Sequence, residues 1–549
     1  MTEQPYRLLG LSATVGDTDL ARRYLDMDHP ERVRLVDDKS MPNELRLRIH
    51  GYRLPLNTSD DGTDQPAQEN AAPPAEVVRA AHDMTRHGTG HANLVFANSK
   101  GDVEEFADLC KRLAQEQRLK DQFLVHHGSL SAEIREDAEA TMKRGATATT
   151  FCSSTLEMGI DIGSVYMVGQ IGAPWSVSSM KQRMGRSGRK PGQPRIMRVY
   201  IQCHDHRADV GIFDRLHLEL VQAVAVTELM LAGWMEPPAP PACDLSTLTQ
   251  QIISVIVETG GIRADELYGR LCREGAFRDI EPKLFTQLLR VLAARDVIEH
   301  MAEGDLILGL KGERLRKDKG FYAVFPTPEE YSVLHNGMLL GTLECAHEKG
   351  DHLLFAGRRW RVVEVDPERL ELHVQPASGW KRPRFGGAVG EVHPAVCQKM
   401  REILASPARH AYLDAAAQGL LEDARHVAAS AAITEKVLVA LGPKKSAIVT
   451  WTGTRIQQTL QAMLAAAGID TADEHVALVV DLPETHTQQA LGRLLTEAYA
   501  PQDIARFVPW RRRRKYDQLL TDELLDVTIS RGWLDIEGAL QLLRNICSR

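Results

Sequence analysis

Between Asn93 and Gln170 short apolar runs alternate with longer amphipathic ones, and this alternation limits the fold more than any other feature. Asn93–Phe96, Gln122–His126, Ala148–Cys152 and Val165–Gln170 have the length and composition of strands, whereas Val103–Leu113 and Ala132–Lys143 have helical periodicity. Strands separated by helices run parallel, because a parallel pair needs a crossover long enough to hold a helix. The expectation is an α/β lobe on a parallel sheet, covering residues 41–205.

The flanks read differently. Residues 1–40 offer two strand-like runs, Tyr6–Leu11 and Val33–Val36, and a helical stretch Leu20–Leu25, too little to bury a core alone. They read as the tail of a larger sheet. Asn57–Ala75 is rich in Asp, Asn, Gly and Pro and reads as a surface loop. Residues 206–320 begin with a helix at Arg215–Leu231, broken by the proline-rich Glu236–Ala242. Helices at Leu248–Glu258, Ala264–Arg273 and Pro282–Ala294 then lead to strands Val297–His300 and Leu306–Leu310. Three helices and a β-ribbon make a winged helix. Residues 321–549 start β-rich (Leu353–Phe355, Trp360–Val365, Leu370–Val374) and become mixed after Pro394. The fold class is thus multidomain α/β.

Composition narrows the partners. The net charge is −8, so any pull on nucleic acid is local. Lys181–Arg198 supplies such a field, with seven basic residues and no acidic one. Eight scattered cysteines, without a C-x-x-C pair, fit a reducing compartment rather than a zinc ribbon or disulfide scaffold. With no long apolar run and a polar start, the chain reads as cytoplasmic.

Chemistry concentrates in five short segments. Gln182-Arg183-Met184-Gly185-Arg186-Ser187-Gly188-Arg189 places arginines on a helix end and a glycine-punctuated turn, suited to gripping phosphate oxygens. Ser153-Ser154-Thr155 follows a strand, at the end of an open α/β sheet where ligands bind, and offers hydroxyls and amides to a phosphate. His127-Gly128-Ser129 reads equally as a binding element or as a plain turn. Trp380-Lys381-Arg382-Pro383-Arg384-Phe385 interleaves aromatics with cations, which suits stacked bases, with a buried Trp380 as the alternative. Trp510–Lys515 either tracks phosphates or is a solvated helix start. Trp360 alternates with apolar strand residues and reads as core. Cys203-His204-Asp205-His206 reads as a loop.

Taken in order, Leu11-Ser12-Ala13-Thr14, Leu94–Ser99, His126–Ser131, Ser153–Gly163 and Gln182–Arg189 resemble the later motifs of superfamily 2 helicases. Gly275–Asp279, Phe355–Val363, Val374–Gly379, Thr450–Thr454 and Tyr516–Leu525 narrow the resemblance to the Lhr (large helicase-related) type. The resemblance implies a RecA-like lobe, a winged helix and a fourth domain, moving 3′ to 5′ on single-stranded DNA with ATP and Mg²⁺. It implies Arg186 and Arg189 as the arginine finger, with Gln182 beside them, and Gly159 and Asp161 facing the nucleotide. Ser12 and Thr14 would couple the lobes. Asn98, Ser99, His127, Ser153, Ser154, Thr155, Trp380 and Phe385 would face nucleic acid, either single-stranded DNA or an RNA–DNA hybrid. Two departures stand out. Gly188-Arg189 replaces the family's frequent Gly-His, leaving the division of labour between Arg186 and Arg189 open. Pro383-Arg384-Phe385 also lacks the tryptophan that often follows.

No Gly-Lys-Ser or Gly-Lys-Thr occurs anywhere in the sequence. Gly442-Pro443-Lys444-Lys445-Ser446 lacks the second glycine, and Asp473-Glu474-His475 precedes an apolar run instead of ending one. The expectation is that the sequence starts inside the first RecA-like lobe. The magnesium ligands and phosphate loop would lie on that lobe, either lost or carried by a separate polypeptide, and the isolated chain would be inactive. The alternative is a non-catalytic nucleic-acid-binding or regulatory protein on the same scaffold.

Overall fold

The computed structural model describes residues 7–12, 14–36, 43–54, 74–120, 122–158, 163–204, 211–238, 243–325, 330–344, 347–378, 390–496, 500–512 and 514–547. They fall into two compact units, Met1–Pro238 with Glu329–Glu435, and Ala239–Pro328 with Lys436–Arg549.

The first unit is built on six parallel strands: β1 Leu45–Leu54, β2 Asn93–Ala97, β3 Gln122–His126, β4 Ala148–Cys152, β5 Met167–Ile171 and β6 Arg195–His204. Their spatial order is β1-β6-β5-β2-β4-β3. Around them stand α1 Thr18–Leu25, α2 Ala75–Gly88, α3 Lys100–Glu116, α4 Ala132–Lys143, α5 Val177–Met184 and α6 Leu218–Leu231. The period of two along β2 sorts its side chains. Leu94 and Phe96 join Cys152, Leu156 and Val168 in one core. Val95 and Ala97 join Phe106, Val125 and Phe151 in another.

That second core is shared with a five-stranded sheet in the order Met338–Leu343, Tyr331–His335, Glu371–Pro376, Arg358–Asp366, His352–Phe355. Trp360 is buried there, and its indole N–H donates to the Phe355 carbonyl at 2.8 Å. Polar bonds fix the two sheets together. Glu104 on α3 accepts from the Ala356 and Gly357 amides at 2.7 Å each, and Arg359 reaches Asp108 at 2.7 Å. The expected division at 320/321 therefore falls within the second unit. The one at 205/206 falls within the first, where Glu219 of α6 accepts the Ala173 amide at 3.1 Å.

Two expected strands are absent. Arg7–Leu11 is irregular, with Leu9 and Leu11 at 84% and 97% exposure, and Val33–Val36 is also coil. An apolar run becomes a strand only where an edge offers it hydrogen bonds, and no described strand runs beside either. The expected helix at Arg215–Leu231 is interrupted at His217, whose φ of 46° turns the chain before α6.

The second unit holds helices at Leu245–Thr259, Ala264–Tyr268 and Pro282–Ala294, the middle one running on into a π turn at Gly269–Arg273. They pack with a three-stranded antiparallel sheet of Ile262–Arg263, Asp305–Leu308 and Ile298–His300. A four-stranded antiparallel sheet contains Leu438–Gly442, Lys445–Val449, Ala477–Val480 and Thr471–Asp473. The cationic run serves this unit's own cohesion. Arg511 pairs with buried Asp526 at 2.6 Å, Arg512 with Asp522 at 3.3 Å, and Arg514 with Asp244. Among the described residues no helix is long and apolar enough to cross a membrane.

In the first unit the edge strand β1 is sealed by the segment preceding helix Ala415–Ser430. Ile49 donates to the Tyr412 carbonyl at 2.8 Å, and Asp414 donates back to Ile49 at 3.0 Å. A Cβ on Gly51 would sit 2.7 Å from the Ala417 backbone. Gly51→Val should therefore cost about 1–3 kcal/mol, read as a lower urea midpoint. An unchanged midpoint would show that the helix does not press on this strand.

Candidate nucleotide and nucleic-acid site

Parallel strands bring the ends of β2, β3 and β4 to one edge of the sheet. Asn98 follows β2 and donates to the Ala173 carbonyl at 2.6 Å. Ser99 caps α3, accepting the Asp102 amide at 3.0 Å. Ser153 follows β4, and Ser154–Leu156 makes one 3₁₀ turn. Ser154 is exposed, with Ser153 and Thr155 partly so. Thr155 Oγ1 lies 2.8 Å from His126 Nδ1.

His127 sits apart from this group. It is fully buried, with Nε2 3.0 Å from Glu104 Oε1 and its ring edge-on to Phe355. The structure therefore puts His127 in the core joining α3 to the second sheet, not on the surface expected for a nucleic-acid contact. Its burial follows from β3, whose last residues run beneath the Phe355–Gly357 turn.

The arginine segment lies at the opposite edge. α5 is eight residues long, about 12 Å, and runs back across the sheet. Its first turn is capped by Glu236, which accepts the Val177 and Ser178 amides at 2.7 and 3.0 Å. Beyond its end, Arg186 returns its carbonyl to the Val165 amide at 3.2 Å, just before β5 begins. Gly188 has φ of 62°, and a Cβ there would lie 2.8 Å from the Arg195 amide nitrogen, so only glycine suits this turn.

The three arginines have three different jobs. Arg183 is buried, with Nε and Nη2 each 2.9 Å from Glu157 Oε2, Nη1 on Gln170 Oε1 at 2.5 Å, and its plane over the Phe96 ring. Arg186 donates to the Glu157 carbonyl at 2.6 Å. Burial, then the charge of Arg189, holds its guanidinium below the ordinary arginine value. Arg189 is exposed and folds over the Gly185 and Gly163 carbonyls at 3.1 and 3.3 Å. One acidic residue, Glu157, thus holds two arginines. Sequence reading missed it because charge counting treats each arginine alike. Its position two residues after Thr155, facing a helix of cations, was the available signal.

Gln182 donates to Thr14 Oγ1 at 2.7 Å, and Ser12 Oγ accepts the Thr14 amide at 3.2 Å. Residues expected separately for catalysis and for lobe coupling therefore meet. Gly159 and Asp161, and likewise Trp380 and Phe385, lie outside the described residues. The decoys resolve locally. Gly442–Lys445 is a hairpin turn, and Asp473 accepts from Gln457 and from the His475 amide. Among the described residues no group of three or more His, Cys, Asp or Glu is placed to hold a metal ion. Beyond the end of α5 the guanidinium charges of Arg186, largely buried, and Arg189, exposed, stand close together, with no nearby metal-ligating cluster among the described residues.

Residues 76–191 match the family described as helicase conserved C-terminal domain. The Lhr helicase/uracil glycosylase of Escherichia coli is 27% identical over 449 residues, covering 71% of this chain and 28% of that protein. The ATP-dependent helicase Lhr-Core of Methanothermobacter thermautotrophicus is 29% identical over 392 residues, covering 68% of this chain and 42% of that protein. Over these stretches the chain is similar to Lhr-type helicases. It spans less than half the length of these two relatives. Its fold is also that of the Mycobacterium smegmatis helicase Lhr, solved bound to ssDNA and AMP-PNP, with a TM-score of 0.63 and 19% identity over 98% of this chain and 72% of that one.

Breaking a buried ion pair by truncating one partner costs about 3–5 kcal/mol, because the other charge is left behind. Arg183→Ala should approach that cost in urea unfolding, whereas Arg189→Ala should stay within about 0.5 kcal/mol of the parent. Equal effects would refute the division of roles.

Proposed function

We propose that this chain supplies the arginine-bearing lobe and strand-tracking domains of an ATP-driven translocase that moves 3′ to 5′ on single-stranded DNA and displaces DNA or RNA. The observation that carries this reading is the Gln182–Thr14 hydrogen bond at 2.7 Å, which joins the arginine helix to the segment resembling the lobe-coupling motif. The M. smegmatis protein of the same fold was solved with ssDNA and AMP-PNP, which supports both ligands here.

In this reading Arg186 and Arg189 reach the phosphates of a nucleotide held chiefly by another lobe. When bound, ATP with Mg²⁺ supplies the phosphoryl-transfer free energy. The arginines stabilise charge that develops on the transferred group, an effect of about 10³–10⁵ in rate. Arg186 is pre-set for this: the Glu157 carbonyl fixes its direction, and burial reduces the water that competes for its donors. Ser153, Ser154, Thr155, Asn98 and Ser99 contact the nucleic-acid backbone at the other edge, with Trp380 and Phe385 as stacking residues. Residues 245–308 act as a winged helix within the assembly.

The phosphate loop and magnesium ligands come from outside these 549 residues, in which no Gly-Lys-Ser or Gly-Lys-Thr occurs. ATP turnover by the purified chain should stay at background. Adding a separately made lobe with Gly-Lys-Thr and Asp-Glu-x-His motifs should restore hydrolysis stimulated by single-stranded DNA. Arg186→Ala should then reduce it by about 10³. Turnover by the chain alone that Arg186→Ala abolishes would overturn the split. Salt-sensitive strand binding indifferent to ATP and to the added lobe would establish the non-catalytic alternative.

A further inference from the structure

His126 ends β3 beneath the turn that carries the backbone-contact hydroxyls, and its side chain is 2% exposed. Nε2 lies 3.2 Å from Glu139 Oε1 on α4, and Nδ1 lies 2.8 Å from Thr155 Oγ1. Thr155 Oγ1 also donates toward the His126 carbonyl at 3.1 Å, an oxygen that accepts the Ser153 amide at 3.3 Å as well. Proton counting then leaves two states. The Glu139 carboxylate only accepts, so Nε2 carries a hydrogen. In the neutral ring Nδ1 has none and takes the single hydrogen of the Thr155 hydroxyl. In the charged ring Nδ1–H donates to Thr155 Oγ1, and the hydroxyl hydrogen turns away from the ring, to the His126 carbonyl or to an acceptor outside.

A phosphate oxygen is an acceptor, so Thr155 can bond it only when Nδ1 does not hold the hydroxyl hydrogen, and it then competes with the His126 carbonyl alone. We propose that His126 is a positioning residue for nucleic-acid binding: its second proton frees the Thr155 hydroxyl to donate to a backbone phosphate. The inference rests on the reading of Thr155 as a phosphate contact. Binding then takes up a proton at His126, and the anionic backbone favours that proton in turn.

The groups acting on the ring set the pH window. Burial is the largest influence and holds His126 below its ordinary value of 6.5. Glu139 opposes it, while Arg135 and His127 push the same way as burial. Lys143 lies 3.9 Å from the far oxygen of Glu139. A depressed histidine contributes stability that is present above the unfolded value and lost as pH falls through the folded one. Acid therefore loosens the fold slightly while it strengthens the grip, and the two effects have opposite signs in a binding assay.

The test is fluorescence anisotropy with labelled oligothymidylate and oligouridylate from about pH 7.5 down to the lowest pH at which circular dichroism is unchanged. Wild-type affinity should rise on acidification, approaching tenfold per pH unit for one linked proton. His126→Asn puts an amide where Nδ1 stands and cannot titrate, so it should bind at neutral pH at least as well as wild type, with a flat profile. Glu139→Gln removes the carboxylate that favours the charged ring and should move the rise to lower pH. Thr155→Val should weaken binding several-fold and flatten the profile. If Thr155→Val binds like wild type on both strands, the phosphate-contact reading itself falls. If Thr155→Val weakens binding but His126→Asn and Glu139→Gln keep the wild-type profile, the His126 proposal falls and that reading stands.

Discussion

The arrangement of the site depends on one carboxylate. Glu157 lies in the connection between β4 and β5, and it holds Arg183 through its side chain and Arg186 through its carbonyl. Arg183 is buried against Phe96 and Gln170, so its charge would be costly without Glu157. With the pair in place, the last turn of α5 is tied to the β4–β5 connection, with Arg186 held largely buried on the Glu157 carbonyl and Arg189 exposed over the Gly185 and Gly163 carbonyls. The basic field seen in the sequence is therefore not a uniform patch. Part of it is internal structure, and part is exposed at Arg189 and Lys190.

A second buried carboxylate does equivalent work at the other face. Glu104 is spent on His127 and on two amides of the Phe355–Gly357 turn, so the five-stranded sheet behaves as an extension of the parallel lobe. This explains why divisions drawn from composition fail to match the compact units. Composition changes where the secondary-structure type changes, but cohesion follows buried polar bonds and shared apolar cores. The Trp510–Lys515 run makes the same point in the second unit, where cations that read as a surface feature join stretches far apart in sequence.

Where local pattern suffices, the sequence is transparent. Gln122–His126, Ala132–Lys143, Ala148–Cys152 and Pro282–Ala294 begin and end at the residues their periodicity indicates. Two of the strands it missed, Leu45–Leu54 and Arg195–His204, pair with each other at one side of the sheet. Both interleave Arg, His or Gln with apolar residues, an edge-type alternation easily taken for a charged linker. The site was legible as a set of residue types and illegible as a set of roles. Nothing in Gln182–Arg189 distinguishes the buried arginine from the exposed one, because the distinction is made by Glu157 and Phe96, distant in sequence. His127 was ambiguous for the same reason, since only the approach of the second sheet decides that it is core.

The geometry also bears on how the two edges of the lobe communicate. The hydroxyls of Ser153–Thr155 and the arginine anchor at Glu157 are separated by a single 3₁₀ turn, whose own hydrogen bond runs from the Glu157 amide to the Ser154 carbonyl. In the proposed reading, a change in the load on Arg186 would thus be applied to a residue bonded to the Ser153–Thr155 turn itself, with no long relay of side chains. On its other side that turn rests on His126, whose ring spans from Thr155 to α4. The turn is held from both ends by polar groups, the Arg186 guanidinium on the Glu157 carbonyl and the His126 ring against the Thr155 hydroxyl. Polar supports of this kind can exchange bonding partners, as a coupling element requires and a packed apolar support cannot.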